Sequence, residues 1–217
     1  MSLVLYSHPF ASYCWKVLIA LYENDTPFEY RIVNDQRTFA ELAALWPLKK
    51  FPVLVDGEAT LIESSIIIEY LQLHHPGPAQ LIPGAADAAL QARFLDRCFD
   101  NYVMTPMQKV VGDALRAPDG HDPTGVTDAK GQLVQAYTWL EALLGDRSWA
   151  TGGSFSIADC AAAPSLFYAD WVHEIGPQFA RLRAYRARLL ARPSIARVVD
   201  EARPYRELFP LGAPDRD

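Results

Sequence analysis

The segment Ser2–Glu23, SLVLYSHPFASYCWKVLIALYE, changes its hydrophobic period halfway along. Leu3, Val4 and Leu5 form a short apolar run, the pattern of a buried strand, and the run stops at Ser7-His8-Pro9. Beyond it Cys14, Val17, Leu18 and Leu21 fall at i, i+3, i+4 and i+7, one face of a helix that starts near Ser12. A strand therefore ends in a proline loop and a helix follows. The first N–H groups of a helix lack internal acceptors and lie at the positive end of its dipole. The tip around Ala11 and Ser12 is thus a place to hold an anion.

Reading outward, Asn24-Asp25-Thr26-Pro27 signals a turn, and Phe28–Val33 alternates apolar and polar as a strand with one buried face. Strand, helix, strand predicts a parallel crossover. Thr38–Leu45 reads as a short helix. Phe51–Val55 reads as a strand entered through Pro52, Asp56-Gly57 as a tight turn, and Glu58–Ile62 as the returning strand. Glu63-Ser64-Ser65 opens a helix with Ile67, Tyr70, Leu71 and His74 on one side, its apolar surface widened by Ile66 and Leu73. The order β-α-β-α-β-β-α predicts an α/β domain with a mixed sheet. Pro52 cannot donate to a sheet ladder, so it either opens its strand or carries a cis bond. Ser64 either caps its helix or offers its hydroxyl to a ligand. Two helix tips and an open strand edge are the parts of a site for a small acidic peptide.

His75-Pro76-Gly77-Pro78 closes this first domain at residue 76, a linker covers 77–87, and 88–217 reads as all-helical. Leu90, Phe94, Cys98 and Tyr102 recur near the helical period, and Pro106 bends or ends that helix. Arg116–Thr127 reads as a loop. Ser156-Ile157-Ala158-Asp159 is a capping box before a helix apolar on most sides, the core of the domain, which gives Ser156 and Asp159 structural roles. The tail beyond Leu208, rich in Pro, Gly and charge, is expected to be loosely held. A pocket is expected between the domains. Its candidate walls are His8, Phe10, Tyr102, Met104, Met107, Tyr168 and Trp171, residue types that also serve as plain core.

The chain has 217 residues, half of them hydrophobic, with 26 acids against 20 Lys and Arg and a net charge of −6. That balance gives no reason to expect nucleic acid or an anionic membrane as a partner. Cys14, Cys98 and Cys160 are odd in number and far apart, which excludes a disulfide framework or a clustered metal motif and fits a reducing, cytoplasmic compartment. No metal is expected. The N-terminus lacks a signal-peptide pattern, and no apolar run reaches spanning length.

Phe51-Pro52-Val53-Leu54 followed by Glu63-Ser64, together with YSHPFASYCWKVLIAL, resembles the soluble glutathione transferase superfamily over nearly the whole chain. The N-terminal segment is similar to a bacterial branch near the theta and zeta classes. The resemblance implies a thioredoxin-like domain with a mixed four-stranded sheet, followed by a helical bundle domain. It implies a homodimer built on the first long helix, whose Arg93, Arg97 and Asp100 are candidates to reach glutathione. It implies that Pro52 is cis and that the backbone of Val53 pairs with the cysteinyl part of glutathione. Glu63 then meets the γ-glutamyl ammonium and Ser64 its carboxylate, while Lys50 or Gln36 reaches the glycyl carboxylate. The implied partner is a small, mostly apolar electrophile, and the implied activity is of the detoxifying kind.

Aligning Trp15-Lys16-Val17 with that branch puts Ala11 where the branch has its catalytic serine. Ser12 lies one residue later. Cys14 matches the second cysteine of a C-x-x-C pair and Ala11 replaces the first, so a dithiol mechanism is not supported, and Cys14 reads as a buried, inert thiol. The thiolate-stabilising group is then Ser12, which serves equally as a plain N-cap, or Tyr6, Tyr13, or backbone N–H groups alone. Beside transferase activity stand a glutathione-binding protein with little turnover, a zeta-like isomerase using glutathione as cofactor, and a non-enzymatic interaction domain.

Overall fold

A computed structural model describes residues 3–217. The first part runs β1 (Leu3–Ser7), α1 (Ser12–Glu23), β2 (Phe28–Ile32), α2 (Gln36–Leu45), β3 (Val53–Asp56), β4 (Ala59–Leu61) and α3 (Ser64–His74). The four strands stand in the order β2-β1-β3-β4. β1 and β2 are parallel, with Leu5 opposite Tyr30, whereas β3 pairs antiparallel with both β1 and β4. This is the mixed sheet the element order predicts, in the thioredoxin-like form the family resemblance implies. Gly57, at φ 60°, makes the tight turn between β3 and β4.

Alternation along β1 sets the two layers. Leu3 and Leu5 face the core that holds α1 and α3. Tyr6 points the other way, onto a smaller cluster of Val33, Leu42 and Val53 under α2. α1 buries every residue from Cys14 to Leu21, because the sheet lies on one side and the helical domain on the other.

That second part runs α4 (Ala86–Cys98), a π-helical turn over Phe99–Met104, α5 (Thr105–Ala114), α6 (Pro123–Leu144), α7 (Ile157–Val172), α8 (Ala180–Leu190) and α9 (Pro193–Ala202). α7 is buried from Ile157 through Trp171 and packs against α1, where Trp15 meets Phe167 and Tyr168 at ring separations of 4.9 and 5.3 Å. Its N-terminus is built as the capping box predicts. The Asp159 carboxylate accepts from the N–H and hydroxyl of Ser156, from the Ala150 N–H and from the Tyr185 hydroxyl. Tyr22 and Glu23 on α1 bond Glu201 and Arg192 of the helical part, so the two parts share one core.

Three expectations are corrected. Leu90, Phe94 and Tyr102 do not enter the core: they are exposed, and only Cys98 of that set is buried. Leu90 and Phe94 lie on regular α4, whose inward face is Ala89, Ala92, Leu95 and Asp96, and only Tyr102 lies in the π turn. Pro106 has no N–H to give the carbonyl of Tyr102, and Thr105 bonds back to Asp100 instead. Ile66 and Leu73 also face outward on α3, beside α4, to which Arg93–Glu69 ties it at 2.8 Å. Lastly, the tail is docked. Phe209 is buried against Trp171 at 5.1 Å, and Arg216 reaches the Asp170 carboxylate at 3.2 Å. An apolar anchor and several ion pairs, among them Arg206–Asp217 at 2.8 Å, hold a segment whose composition reads as loop.

Candidate functional site

Three chain segments meet at the C-terminal end of β1. The first is the loop from Ser7 to Ala11. Trp15 donates its indole N–H to the Pro9 carbonyl at 2.6 Å, and Tyr168 of α7 donates its hydroxyl to the Phe10 carbonyl at 2.9 Å. Both parts of the molecule therefore fix this loop. Ala11, not Ser12, is the N-cap of α1, with φ −94° and ψ 121° and no side-chain acceptor. Ser12 is the first helical residue. Its hydroxyl and the N–H groups of Ser12 and Tyr13 have no hydrogen-bond partner among the described residues.

The second segment is the loop into β3. The Phe51–Pro52 bond is cis. β3 begins only at Val53, which is fully buried, pairs with Tyr6 and borders neither of the cavities described below. Phe51 borders both, and its backbone N–H and carbonyl are unbonded among the described residues. The open peptide edge is therefore at Phe51, one residue before the cis proline, and not at Val53. β4 pairs no further along β3 than Leu54, opposite Leu61, which leaves that edge uncovered.

The third segment is the start of α3. Glu63 is its N-cap, at φ 66° and ψ 112°. A glutamate in the left-handed region is uncommon and is a form of strain found at ligand-holding sites. Ser64 follows as the first helical residue, nearly buried and without a side-chain partner among the described residues. It does not cap its helix.

These segments enclose two adjoining cavities. The polar one, about 380 Å³, is walled by Tyr13, Lys50, Phe51, Pro52, Glu63 and Ser64 on one side. Arg97, Asp100, Asn101 and Gln108 close it from the helical part, Asp100 and Asn101 being carried by the π turn. The second, about 600 Å³, lies between Phe10, Ala11 and Ser12 and the apolar side chains Met107, Val111, Tyr168 and Phe209. Tyr13, Lys50, Phe51 and Gln108 border both. A peptide held in the first space can therefore present a reactive atom to a molecule in the second, at the tip of α1.

Titration separates the candidate groups. Burial, then the nearby Asp100 carboxylate, pushes the Tyr13 hydroxyl up to about 12, so at neutral pH it is a phenol that donates. Burial likewise raises the Cys14 thiol to about 12, which leaves it unreactive. Tyr6 is on the wrong face of the sheet. Its hydroxyl meets Glu41 at 3.4 Å, with the Arg31 guanidinium 5.6 Å from its ring, and it borders neither cavity.

Of the other expected wall residues, Phe10, Met107 and Tyr168 border the apolar cavity. His8 does not. Its Nδ1 accepts the Phe10 N–H, and its ring packs edge-on against Tyr205 at 4.8 Å. Met104 is wholly inside the core, Tyr102 is exposed, and Trp171 stands behind Phe10 and Tyr168. Gln36 opens α2 in solvent, away from both cavities.

Asn101, Gln108 and Lys16 have no counterpart in the expected set, and the charged one of these is Lys16. It is fully buried, with Nζ 2.8 Å from Asp96 and 2.7 Å from Asp100, and it donates to the Ser65 hydroxyl at 3.0 Å. Arg97 reaches Asp96 at 2.7 Å and also Asp100. This cluster joins α1, α3 and α4 directly behind the polar cavity. The available signal was one charge inside the apolar run Cys14–Leu21.

This fold, with a cis proline before β3 and free polar groups at two helix tips, defines a glutathione transferase-type protein. Residues 5–79 match the family described as Glutathione S-transferase, N-terminal domain, and residues 111–188 match Glutathione S-transferase, C-terminal domain. The chain belongs to the soluble glutathione S-transferase superfamily. It is similar to a probable maleylacetoacetate isomerase of Vibrio cholerae, 29% identical over 94% of this chain and 98% of the relative. It is also similar to a stringent starvation protein A homolog of Haemophilus influenzae, 26% identical over 93% and 92%. Among solved structures, a glutathione S-transferase of Methylobacterium radiotolerans in complex with glutathione sulfonate is 30% identical, with a TM-score of 0.75 over 92% of this chain and 95% of that one.

Proposed function

We propose that the protein is a cytoplasmic, homodimeric glutathione transferase that joins the glutathione thiol to a small electrophile. The observation that carries this reading is the shared wall: Tyr13, Lys50, Phe51 and Gln108 border a polar space and an apolar one at the same helix tip. The polar space suits the tripeptide group by group. The Glu63 carboxylate complements an ammonium, Ser64 with the α3 tip complements a carboxylate, and Lys50 complements a second carboxylate. The N–H and carbonyl of Phe51 are free to pair with an extended peptide as an added strand does.

The chemistry asked of the protein is to favour the thiolate. An unperturbed thiol ionises near 8.5, and the anion is the nucleophile. Ser12 and Tyr13 supply hydroxyl donors and two free N–H groups in place of the side chain that Ala11 lacks. One hydrogen bond to a charged group contributes about 1.5–3 kcal/mol, which is about one to two pKa units. The sulfur then forms a C–S bond with the electrophilic carbon, the leaving group departs with its electron pair, and the thiol proton passes to solvent. Proximity and charge stabilisation carry the catalysis.

The exposed apolar side chains Ile66, Leu73, Leu90 and Phe94 on α3 and α4 are the proposed subunit contact. Phe94→Asp is expected to give monomers in sedimentation.

Calorimetry with glutathione and steady-state conjugation of 1-chloro-2,4-dinitrobenzene test the activity. Glu63→Gln and Ser64→Ala are expected to weaken glutathione about tenfold or more. Wild-type protein that ignores millimolar glutathione overturns the proposal. Ala11 supports a second reading, a glutathione-binding protein with little turnover, whose signature is tight binding without conjugation. The similarity to a maleylacetoacetate isomerase supports a third, glutathione-dependent isomerisation, for which that compound is the substrate to test.

A further inference from the structure

The apolar cavity carries ionic groups of one sign only. Lys49 and Lys50 border it, and no carboxylate among the described residues does, although acids outnumber Lys and Arg by 26 to 20 in the chain. Of the five lysines, Lys16 and Lys109 are paired with carboxylates at 2.7 and 2.5 Å, and Lys49, Lys50 and Lys130 form no ion pair among the described residues; of these three, Lys49 and Lys50 border a cavity. Lys50 also borders the polar cavity and is accounted for there. Lys49 borders the apolar cavity alone.

The backbone at Lys49 adds an independent observation. Its φ is 54°, in the left-handed region, where glycine or asparagine sits at little cost and a long side chain is strained. The turn is closed by the Lys49 N–H on the Trp46 carbonyl at 2.8 Å, and any residue but proline can make that bond. The closure explains the turn and not the ammonium. Strain of this kind collects at ligand-holding positions. Around the mouth stand Leu115 and Leu208, both more than half exposed. The entrance therefore combines an apolar rim with an exposed lysine whose backbone is held by the turn and whose ammonium has no carboxylate partner among the described residues.

We propose that the second substrate is an amphipathic organic anion: an apolar, electrophilic body that lies between Leu115, Val111 and Leu208, with a carboxylate or sulfonate held at Lys49. A neutral electrophile fills the same space but leaves this charge unanswered. The inference rests on the transferase reading and specifies which electrophiles the site prefers.

Two measurements test it. The first is binding of an inert pair, 4-phenylbutanoate and its amide, to the protein without glutathione. The second is kcat/KM for 4-chloro-3-nitrobenzoate and its amide with glutathione, each divided by its uncatalysed rate. The wild type is expected to favour the anion of each pair by about three- to fivefold at low salt, the range one partly exposed ion pair supports. Lys49→Gln should bring both ratios towards one, as should ~0.5 M salt, and Lys49→Arg should keep them. Equal binding of the acid and its amide by the wild type, or ratios unchanged in Lys49→Gln, overturns the proposal. Absence of turnover with either aryl halide counts against the transferase reading, while the inert pair still decides whether the cavity selects an anion.

Discussion

Replacing Lys16 by methionine removes a buried ammonium from between two carboxylates while nearly keeping its volume. The Lys16 side chain is 0% exposed, and those of Asp96 and Asp100 are 3% and 5% exposed. Removing one partner of a buried ion pair costs about 3–5 kcal/mol, because the remaining charge is left uncompensated. Arg97 still reaches both carboxylates and is itself half exposed, so the low end applies, about 3 kcal/mol. For a chain of this length that lowers Tm by about 6–12 °C.

The loss should depend on pH with a definite sign. Burial holds the Asp100 carboxyl above its ordinary range, with Lys16 as the leading opposing influence. A carboxyl raised in the folded state contributes stability that is full below the unfolded value of about 3.9 and is lost as pH rises through the folded one. Without Lys16 that folded value rises further. The deficit of Lys16→Met should therefore be smallest near pH 4 and grow towards pH 7. Adding Asp100→Asn should recover part of it. Urea unfolding followed by circular dichroism at several pH values measures this. A loss below about 1 kcal/mol at pH 7, or one independent of pH, refutes the assignment of the cluster as a compensated buried network.

Ala11→Ser places a hydroxyl at the N-cap of α1, where the backbone is already extended, and should add about 1 kcal/mol to stability, read as a rise in the urea midpoint. Asp159→Ala strands four donors in the interior and should cost about 3 kcal/mol or more, enough to lower Tm by several degrees. The Asp56 carboxyl is held below its ordinary range by His75, then by the Tyr70 hydroxyl. Its contribution is present above pH ~4 and is lost as pH falls through the lowered value, so Asp56→Asn should flatten the acid limb of a stability–pH curve.

Local sequence carried the site's frame further than its details. Pro52, Glu63 and Ser64 were legible because each ends or begins an element, and punctuation of that kind is written in short stretches. Tyr6, offered as a thiolate donor, was misplaced, although alternation along β1 excludes it: with Leu3 and Leu5 turned into the α1 core, a residue between Leu5 and Ser7 must face the other layer. Exchanging Val53 for Phe51 as the open edge required knowing where the sheet pairing starts, which depends on β1. Lys16 was not legible, since its burial is balanced by Asp96 and Asp100, some 80 residues away. Leu90 and Phe94 turn outward because the face of α4 that packs inward is Ala89, Ala92, Leu95 and Asp96, a mix of small and charged residues that apolar spacing does not pick out. The tail shows the same limit, because Phe209 finds Trp171 and Arg216 finds Asp170 only in the folded chain, and those contacts outweigh a composition that reads as loop.

In the proposed transferase, the tip of α1 stabilises a glutathione thiolate with no polar side chain at Ala11. Ultraviolet titration of the thiol in the bound state tests it directly, in the wild type, Ser12→Ala and Tyr13→Phe. The expected result is a bound thiol at least about one pKa unit below the free one, with part of that shift lost in the variant whose hydroxyl meets the sulfur. Glutathione bound with its thiol at the free value would contradict it.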